Sequence, residues 1–353
     1  MASRKKLSNI SKLPPLTEAE EEYVSRAGSG ALLNPRYDVT FKEIFTQNTP
    51  ESRAALHSFL EAATERKITK VDLIPNEAHI DYLGQRGVRY DIMTTFADSE
   101  RANIEMQAFK QEYDYGKRAE YHVARILAAS LKQSDFWERA NKAYQISVLD
   151  FNYDETSPGA ISRYAMRTED GRRLADLQNV IFLELPKIKT KEKTLETNTL
   201  LENWAIFLKE ADNPNKTEII KQLTEKEEGL MQAQKVLSKV SKSEIMWLAQ
   251  FRAEVAERDR RSDMAAATSK AIKKGLAEGL AEGMKKGMEK GRAEGRAEGR
   301  AEGRAEGRAE GRAEGRAEGR KAEKVLLAQK FMALGHSKEE AAEFAEIDVK
   351  LLN

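Results

Sequence analysis

Cysteine is absent from this 353-residue chain, which excludes disulfides, thiol nucleophiles and thiolate zinc sites and suits a reducing compartment. Histidine is scarce: His57, His79, His122 and His336 are the 4 in the chain, and they lack the close spacing of a zinc set, so structural or exposed roles are expected. A dominant charge is missing too. With 59 Lys plus Arg against 58 Asp plus Glu, the net charge is +1, so any basic surface that attracts nucleic acid must be local. No run approaches the roughly 20 apolar residues that span a bilayer, and residues 1–13 carry Lys and Arg with no apolar stretch of signal-peptide length behind them. These absences predict a soluble, cytoplasmic protein with no membrane partner and no organic cofactor.

What is present divides into five segments. Residues 1–33 are polar, with Pro14-Pro15 and an acidic run from Glu18 to Glu22, and read as a mobile lead-in with room for one short helix. From 34 to 186 helical and strand patterns follow one another, as in an α/β unit. Phe41, Ile44 and Phe45 recur at helical spacing, and Thr49-Pro50 opens a second helix carrying Leu56, Phe59 and Leu60 on one face. Strand patterns occur at 71–74, 89–96, 103–109, 144–151 and 180–185, with turns at Gly84 and Gly87. Between them a helix over 117–139 is expected, with Tyr121, Ala124, Ala128 and Leu131 as its stripe. Residues 187–270 read as a helical extension, 271–320 as a repeat spacer, and 321–353 as a small helical tail. In that tail Gly335 closes one helix and Ser337-Lys338-Glu339-Glu340 has the capping-box form.

Glycine recurs at every fourth residue from Gly275 to Gly319, 12 times, and from Gly291 onward the repeat is strictly Gly-Arg-Ala-Glu. Collagen needs a period of three and is excluded. In a helix each step of four overshoots one turn by about 40°. Ala, Arg and Glu favour helix, whereas each glycine costs about 1 kcal/mol relative to alanine. Residues four apart are identical, so Arg stacks over Arg and Glu over Glu, a mildly unfavourable arrangement within one helix. Two readings remain open here, a self-associating helix about 65 Å long and an unstructured charged spacer.

The acids that draw most attention are Asp91, in Arg89-Tyr90-Asp91-Ile92, and Glu105 with Gln107, in Asn103-Ile104-Glu105-Met106-Gln107. Side chains alternate along a strand, so Glu105 and Gln107 share one face, and a hairpin brings Asp91 to the same edge. Clustered carboxylates suit a hard divalent cation. Two exposed strand acids on a solvated sheet face fit the spacing as well.

Asp38-x-x-Phe41-Lys42-x-x-Phe45, then Arg89 to Ile92, then Asn103 to Gln107, then Arg118-Ala119-x-Tyr121 occur in that order. Together they resemble the Rpn family of recombination-promoting nucleases, also described as PD-(D/E)XK nuclease-family transposases. The likeness covers residues 34–151 well and extends weakly through Glu202-Asn203-Trp204 and Phe207-Leu208-Lys209. It implies a restriction-endonuclease-like α/β core, a mixed sheet flanked by helices, with a helical C-terminal extension. It also implies a Mg2+-dependent DNA endonuclease of low sequence specificity, linked to recombination or mobile elements.

On that resemblance, Asp91, Glu105 and the carbonyl of Met106 hold Mg2+, and Gln107 positions the attacking water where the standard triplet has lysine. Asp38 is a further acid or else the cap of a helix beginning at Val39. Lys42 is a point charge for the scissile phosphate or a solvated lysine. Arg118 clamps phosphate or forms a salt bridge, and Tyr121 meets Gln107 or DNA or else lies in the core. Lys110, Lys117 and Arg125 add local positive charge. A homodimer is expected if both DNA strands are cut. The alternative is a catalytically weak, nuclease-derived DNA-binding or assembly protein working through its repeat and tail.

Overall fold

Alternating strands and one-sided helices can bury their apolar faces only against each other. In the computed structural model, which describes residues 15–76, 87–132, 134–189 and 195–352, they do so as a sheet covered by helices on both faces. The six strands are β1 (Val71–Leu73), β2 (Ile92–Phe96), β3 (Arg101–Gln107), β4 (Ala143–Leu149), β5 (Ile161–Ala165) and β6 (Gln178–Glu184). Their order is β1-β2-β3-β4-β6-β5. The central strands β3, β4 and β6 run parallel, and the outer pairings are antiparallel. Every residue of β4 is buried, as a parallel strand covered on both faces requires. The expected restriction-endonuclease-like α/β class, a mixed sheet flanked by helices, holds.

The faces differ in what covers them. On one, Ile92, Ile104, Met106, Ile146 and Val148 join the larger core. This core includes residues of α2 (Asp38–Thr46), α3 (Pro50–Thr64), α5 (Leu200–Glu210), α6 (Thr217–Lys226), α7 (Glu228–Val240) and the start of α8 (Glu244–Ala333). On the other, α4 (Tyr115–Ala128) packs Tyr115, Ala119, Val123 and Ile126 against Met93, Leu149 and Phe182. The start of α3 is as expected: the Thr49 hydroxyl accepts from Ser52 N at 3.2 Å, with Pro50 in the first turn.

Several boundaries differ from expectation. Helix α4 begins at Tyr115, because Asp114 accepts from Gly116 N at 2.9 Å, and it ends at Ala128. Its buried stripe is Tyr115, Ala119, His122, Val123 and Ile126, one helix face away from the expected one. Strand β5 was not anticipated, since its Ile-Ser-Arg-Tyr-Ala is only partly buried. The lead-in includes a short helix, α1 (Glu18–Val24), whose Tyr23 packs edge-on to Trp247 at 5.5 Å and whose Glu20 accepts from Arg252 Nε at 2.8 Å. Helices α5 to α7 share the sheet's core. The chain divides into compact units at Met1–Arg260 and Arg261–Asn353. The expected turn at Gly84, and His79, lie outside the described residues.

In the second unit α8 continues without a break through the glycine array. Gly335 takes the left-handed conformation (φ 98°) that ends this helix, and Ser337 caps α9 (Lys338–Phe344) in a capping box with Glu340. Phe331 is stacked between His336 and Phe344, with ring centroids 4.0 and 4.4 Å apart. No described helix is long and apolar enough to cross a membrane.

Helix α3 approaches α7 closely at Gly229. A Cβ added to Gly229 would stand 2.1 Å from Ser58 Oγ and 2.2 Å from Ser58 Cβ. Gly229→Ala is therefore expected to lower stability by about 1–3 kcal/mol, whereas the same change at exposed Gly299 should not lower it; urea denaturation followed by tryptophan fluorescence checks this.

Candidate active site

The parallel pairing of β3 with β4 and the cover of α4 give Glu105 its environment. Asn103, Glu105 and Gln107 alternate onto the face beneath α4, and Glu105 is fully buried. A buried carboxylate needs a partner at each oxygen. Oε1 lies 2.9 Å from His122 Nδ1 and accepts from Asn103 Nδ2 at 3.1 Å. Oε2 accepts from the Tyr115 hydroxyl at 2.9 Å and lies 3.4 Å from Arg118. Strand β4 extends the set: Asn103 Nδ2 donates to Gln145 Oε1 at 2.8 Å, and the Tyr115 hydroxyl lies 3.1 Å from Ser147 Oγ. Burial pushes the Glu105 carboxyl up, but His122, 2.9 Å away, and the Arg118 charge outweigh it, leaving Glu105 below the ordinary glutamate value. Burial, with the Glu105 charge beside it, raises the Tyr115 phenol well above its usual range, so it donates to Glu105 as a neutral hydroxyl.

Asp91 sits just before β2. Ile92 pairs with Ile104, and the same antiparallel register carried one residue further sets Asp91 across from Glu105. Burial, then the charges of Asp38 and Glu105, raise its carboxyl to about 6 despite the nearby Lys42. Lys42, from α2, spans the two aspartates, with Nζ 2.7 Å from Asp38 Oδ2 and 3.0 Å from Asp91 Oδ1. Burial lowers its ammonium pKa, but Asp38 and Asp91 more than compensate and the net shift is upward. The helix cap is Tyr37, and Asp38 is the first helical residue, so Asp38 is a partner of Lys42 and not the cap.

The structure therefore brings Asp38, Lys42, Asp91 and Glu105 to one end of the β2–β3 pair. Gln107 closes β3, and its carbonyl accepts from Asp150 N at 3.0 Å on the β4 side. Successive carbonyls along a strand point to opposite sides, so the Met106 carbonyl faces the β2 side, near Asp91. Arg118 donates to the Tyr113 hydroxyl at 2.9 Å and lies 3.4 Å from Glu105. Tyr121, expected to meet Gln107 or DNA or else to lie in the core, is exposed and so is not a core residue. With Arg89, Tyr113, Lys117, Arg118 and His122 it lines a cleft of about 600 Å³. Lys110 is outside that cleft, with Glu155 at 3.9 Å. A smaller concavity of about 160 Å³ lies elsewhere on the sheet, where Arg66, Lys142, Arg163 and Arg173 are paired with acids.

The sequence reading missed His122, Tyr115 and Asn103. The spacing of Tyr115, Arg118 and His122, three and four residues apart, puts them on one helix face and was the signal that could have found them.

Among the described residues no group of three or more His, Asp or Glu stands ready to hold a metal ion. By charge the acids do fit a divalent cation, because Asp38 and Glu105 both raise the Asp91 carboxyl, a repulsion that a cation relieves. As placed, Lys42 answers part of that charge.

Comparison with known proteins gives one match: a family model described as PD-(D/E)XK nuclease family transposase matches residues 35–267. No curated protein and no solved structure matches.

The folded Asp91 carboxyl keeps its proton to about pH 6, against an ordinary 3.8. Between those values the folded state binds more protons than the unfolded chain, so this group's contribution to stability declines as pH rises through the window. The decline amounts to roughly 3 kcal/mol once the pH is above both values. Asp91→Asn is expected to gain stability over wild type at pH 8 in EDTA and to match it near pH 4, as measured by thermal unfolding.

Proposed function

The chain belongs to the PD-(D/E)XK nuclease family transposases, and from that membership we propose that it is a Mg2+-dependent DNA endonuclease that hydrolyses phosphodiester bonds with low sequence specificity. The observation that carries this reading is the coupling of Asp91 to Glu105 and Asp38 at the open end of the hairpin. A nuclease acting on DNA in a mobile-element context is what the family itself supports.

Asp91, Glu105 and the Met106 carbonyl are the oxygen donors for the cation, whose chemistry when bound is to polarise a phosphate oxygen and acidify water. The protein's own residues set the rest. Tyr115, His122 and Asn103 hold the Glu105 carboxylate in one orientation and keep it ionised at neutral pH. Gln107, at the end of β3, orients the attacking water by hydrogen bonding, since a neutral amide can donate and accept but carries no charge.

The positive charge that lysine brings in the D/E-x-K triplet comes instead from Lys42, which reaches the acids from α2. A lysine ammonium on a flexible stem can move from Asp38 to the scissile phosphate as DNA enters. Arg118, Lys117 and Arg89 line the adjoining cleft and supply the phosphate-neutralising contacts that the overall charge of +1 does not. Cutting both strands needs two active sites, hence a dimer.

The test is supercoiled-plasmid cleavage by the purified full chain with Mg2+, Ca2+ or EDTA. Mg2+-dependent nicking or linearisation is expected, falling by about 10²-fold or more in Glu105→Ala. Lys42→Ala should lose most of the activity and Gln107→Lys in that background should recover part of it, because the charge is restored from the other side of the site. Mg2+ should also raise the melting temperature of wild type at pH 8 more than that of Asp91→Asn. Folded wild type that is as inert as Glu105→Ala overturns the nuclease reading in favour of a nuclease-derived assembly protein.

A further inference from the structure

Within the second unit, one face of α8 packs against no other element among the described residues. At 100° per residue, Lys270, Lys273, Ala277, Leu280, Met284, Met288, Gly291, Gly295 and Glu298 all lie within about 40° of one line along the helix. Leu280, Met284 and Met288 are 65, 63 and 61% exposed, a level that large apolar side chains in a row reach only where a partner is missing.

We propose that this face is where two copies of the chain pair, running antiparallel and centred on Met284. The charges choose both the partner and the direction. The face is basic at one end (Lys270, Lys273), apolar or small in the middle, and acidic at the other end (Glu298, then Glu302 one turn on). A copy running the opposite way sets Lys270 beside Glu298 at each end, Leu280 beside Met288, Ala277 beside Gly291, and Met284 beside itself. A parallel copy in register would bring Lys270 to Lys270 and Glu298 to Glu298, which repel. Gly291 and Gly295 let the two backbones approach closely over the acidic half.

Beside this face Leu276 and Ile272, 73 and 64% exposed, extend the apolar surface. The ion pairs Lys274–Glu278, Glu282–Lys286 and Lys290–Glu294 lie off this face, beside or behind it, and link residues four apart within the one helix. Beyond Glu294 the strict repeat has like charge over like charge and cannot form such pairs. Three apolar residues flanked by charges of opposite sign also make a poor bilayer anchor, which needs a wide apolar face and a basic polar one.

This pairing does not depend on the nuclease reading, and it is tested without activity. The chain has no cysteine, so one introduced thiol reports one position. In full-length protein, oxidised Met284→Cys should form a disulfide-linked dimer. Lys270→Cys should not, because antiparallel pairing separates residue 270 from its copy by about 42 Å. By sedimentation velocity, Lys270→Glu with Lys273→Glu should raise the dimer dissociation constant about tenfold, and adding Glu298→Lys and Glu302→Lys should bring it back near wild type. Cross-linking at both 284 and 270 overturns the antiparallel arrangement. A monomer at all concentrations, a dimer insensitive to the charge reversals, or a monomer that instead binds phosphatidylserine vesicles overturns the proposal.

Discussion

The burial of the Glu105 charge is the constraint on which the first unit depends. An ionised carboxylate without access to water is tolerable only if hydrogen-bond donors and positive charge surround it. Strand β3 supplies Asn103 and helix α4 supplies Tyr115, Arg118 and His122. Each of these needs α4 at one rotation and one height over the sheet. The network also runs on into β4 through Gln145 and Ser147, so the parallel register of β3 and β4 is tied to the same charge. A one-residue slip would exchange the faces of every side chain in the strand and turn Glu105 into the apolar core.

The two sheet faces thereby do different work. Beneath α2, α3, α5 and α7 the layer is apolar and closely packed around fully buried Trp204, Phe41, Phe45 and Phe59. Beneath α4 a smaller apolar cluster surrounds the buried polar network of Glu105, whose hydrogen bonds fix geometry. The site lies where these layers meet at the end of the β2–β3 pair. There Lys42 reaches around from the apolar side to Asp91, whose carboxyl is held near 6 by burial and by its acidic neighbours. A site assembled from both layers holds its charges out of balance, the condition that makes it responsive to an added cation or phosphate.

In the second unit α8 is polar or glycine-bearing on most of its surface and derives little from packing. Its apolar core lies at the C-terminal end, where Ala328 meets Ala341, Ala342 and Ala345 and Phe331 sits between two rings. Glycine at every fourth position weakens the helix, and the face centred on Met284 is where a second chain can return some of that stability.

Much of both units was legible from local pattern. The hairpin acids Asp91 and Glu105 stood out because strand alternation and their short separation act over a few residues, and so did the Thr49-Pro50 helix start and the Gly335 and Ser337 caps. Local pattern gave no view of Glu105's partners. His122 has no ligand near it in sequence, and Tyr115 lies ahead of residue 117, where the helix was expected to begin. The lysine missing from the Glu-x-Gln triplet was likewise recognisable as an absence, while Lys42, the lysine that packs beside Asp38 and Asp91, stands 65 residues earlier. The sequence by itself determined the elements, the absence of thiol chemistry and the two acids, since these rest on residue type and short-range periodicity. Only the tertiary structure decided that Glu105 is buried, that α4 and β4 complete its shell and that Lys42 spans Asp38 and Asp91. Those facts depend on which distant surfaces pack together, and burial then sets the charge of each group.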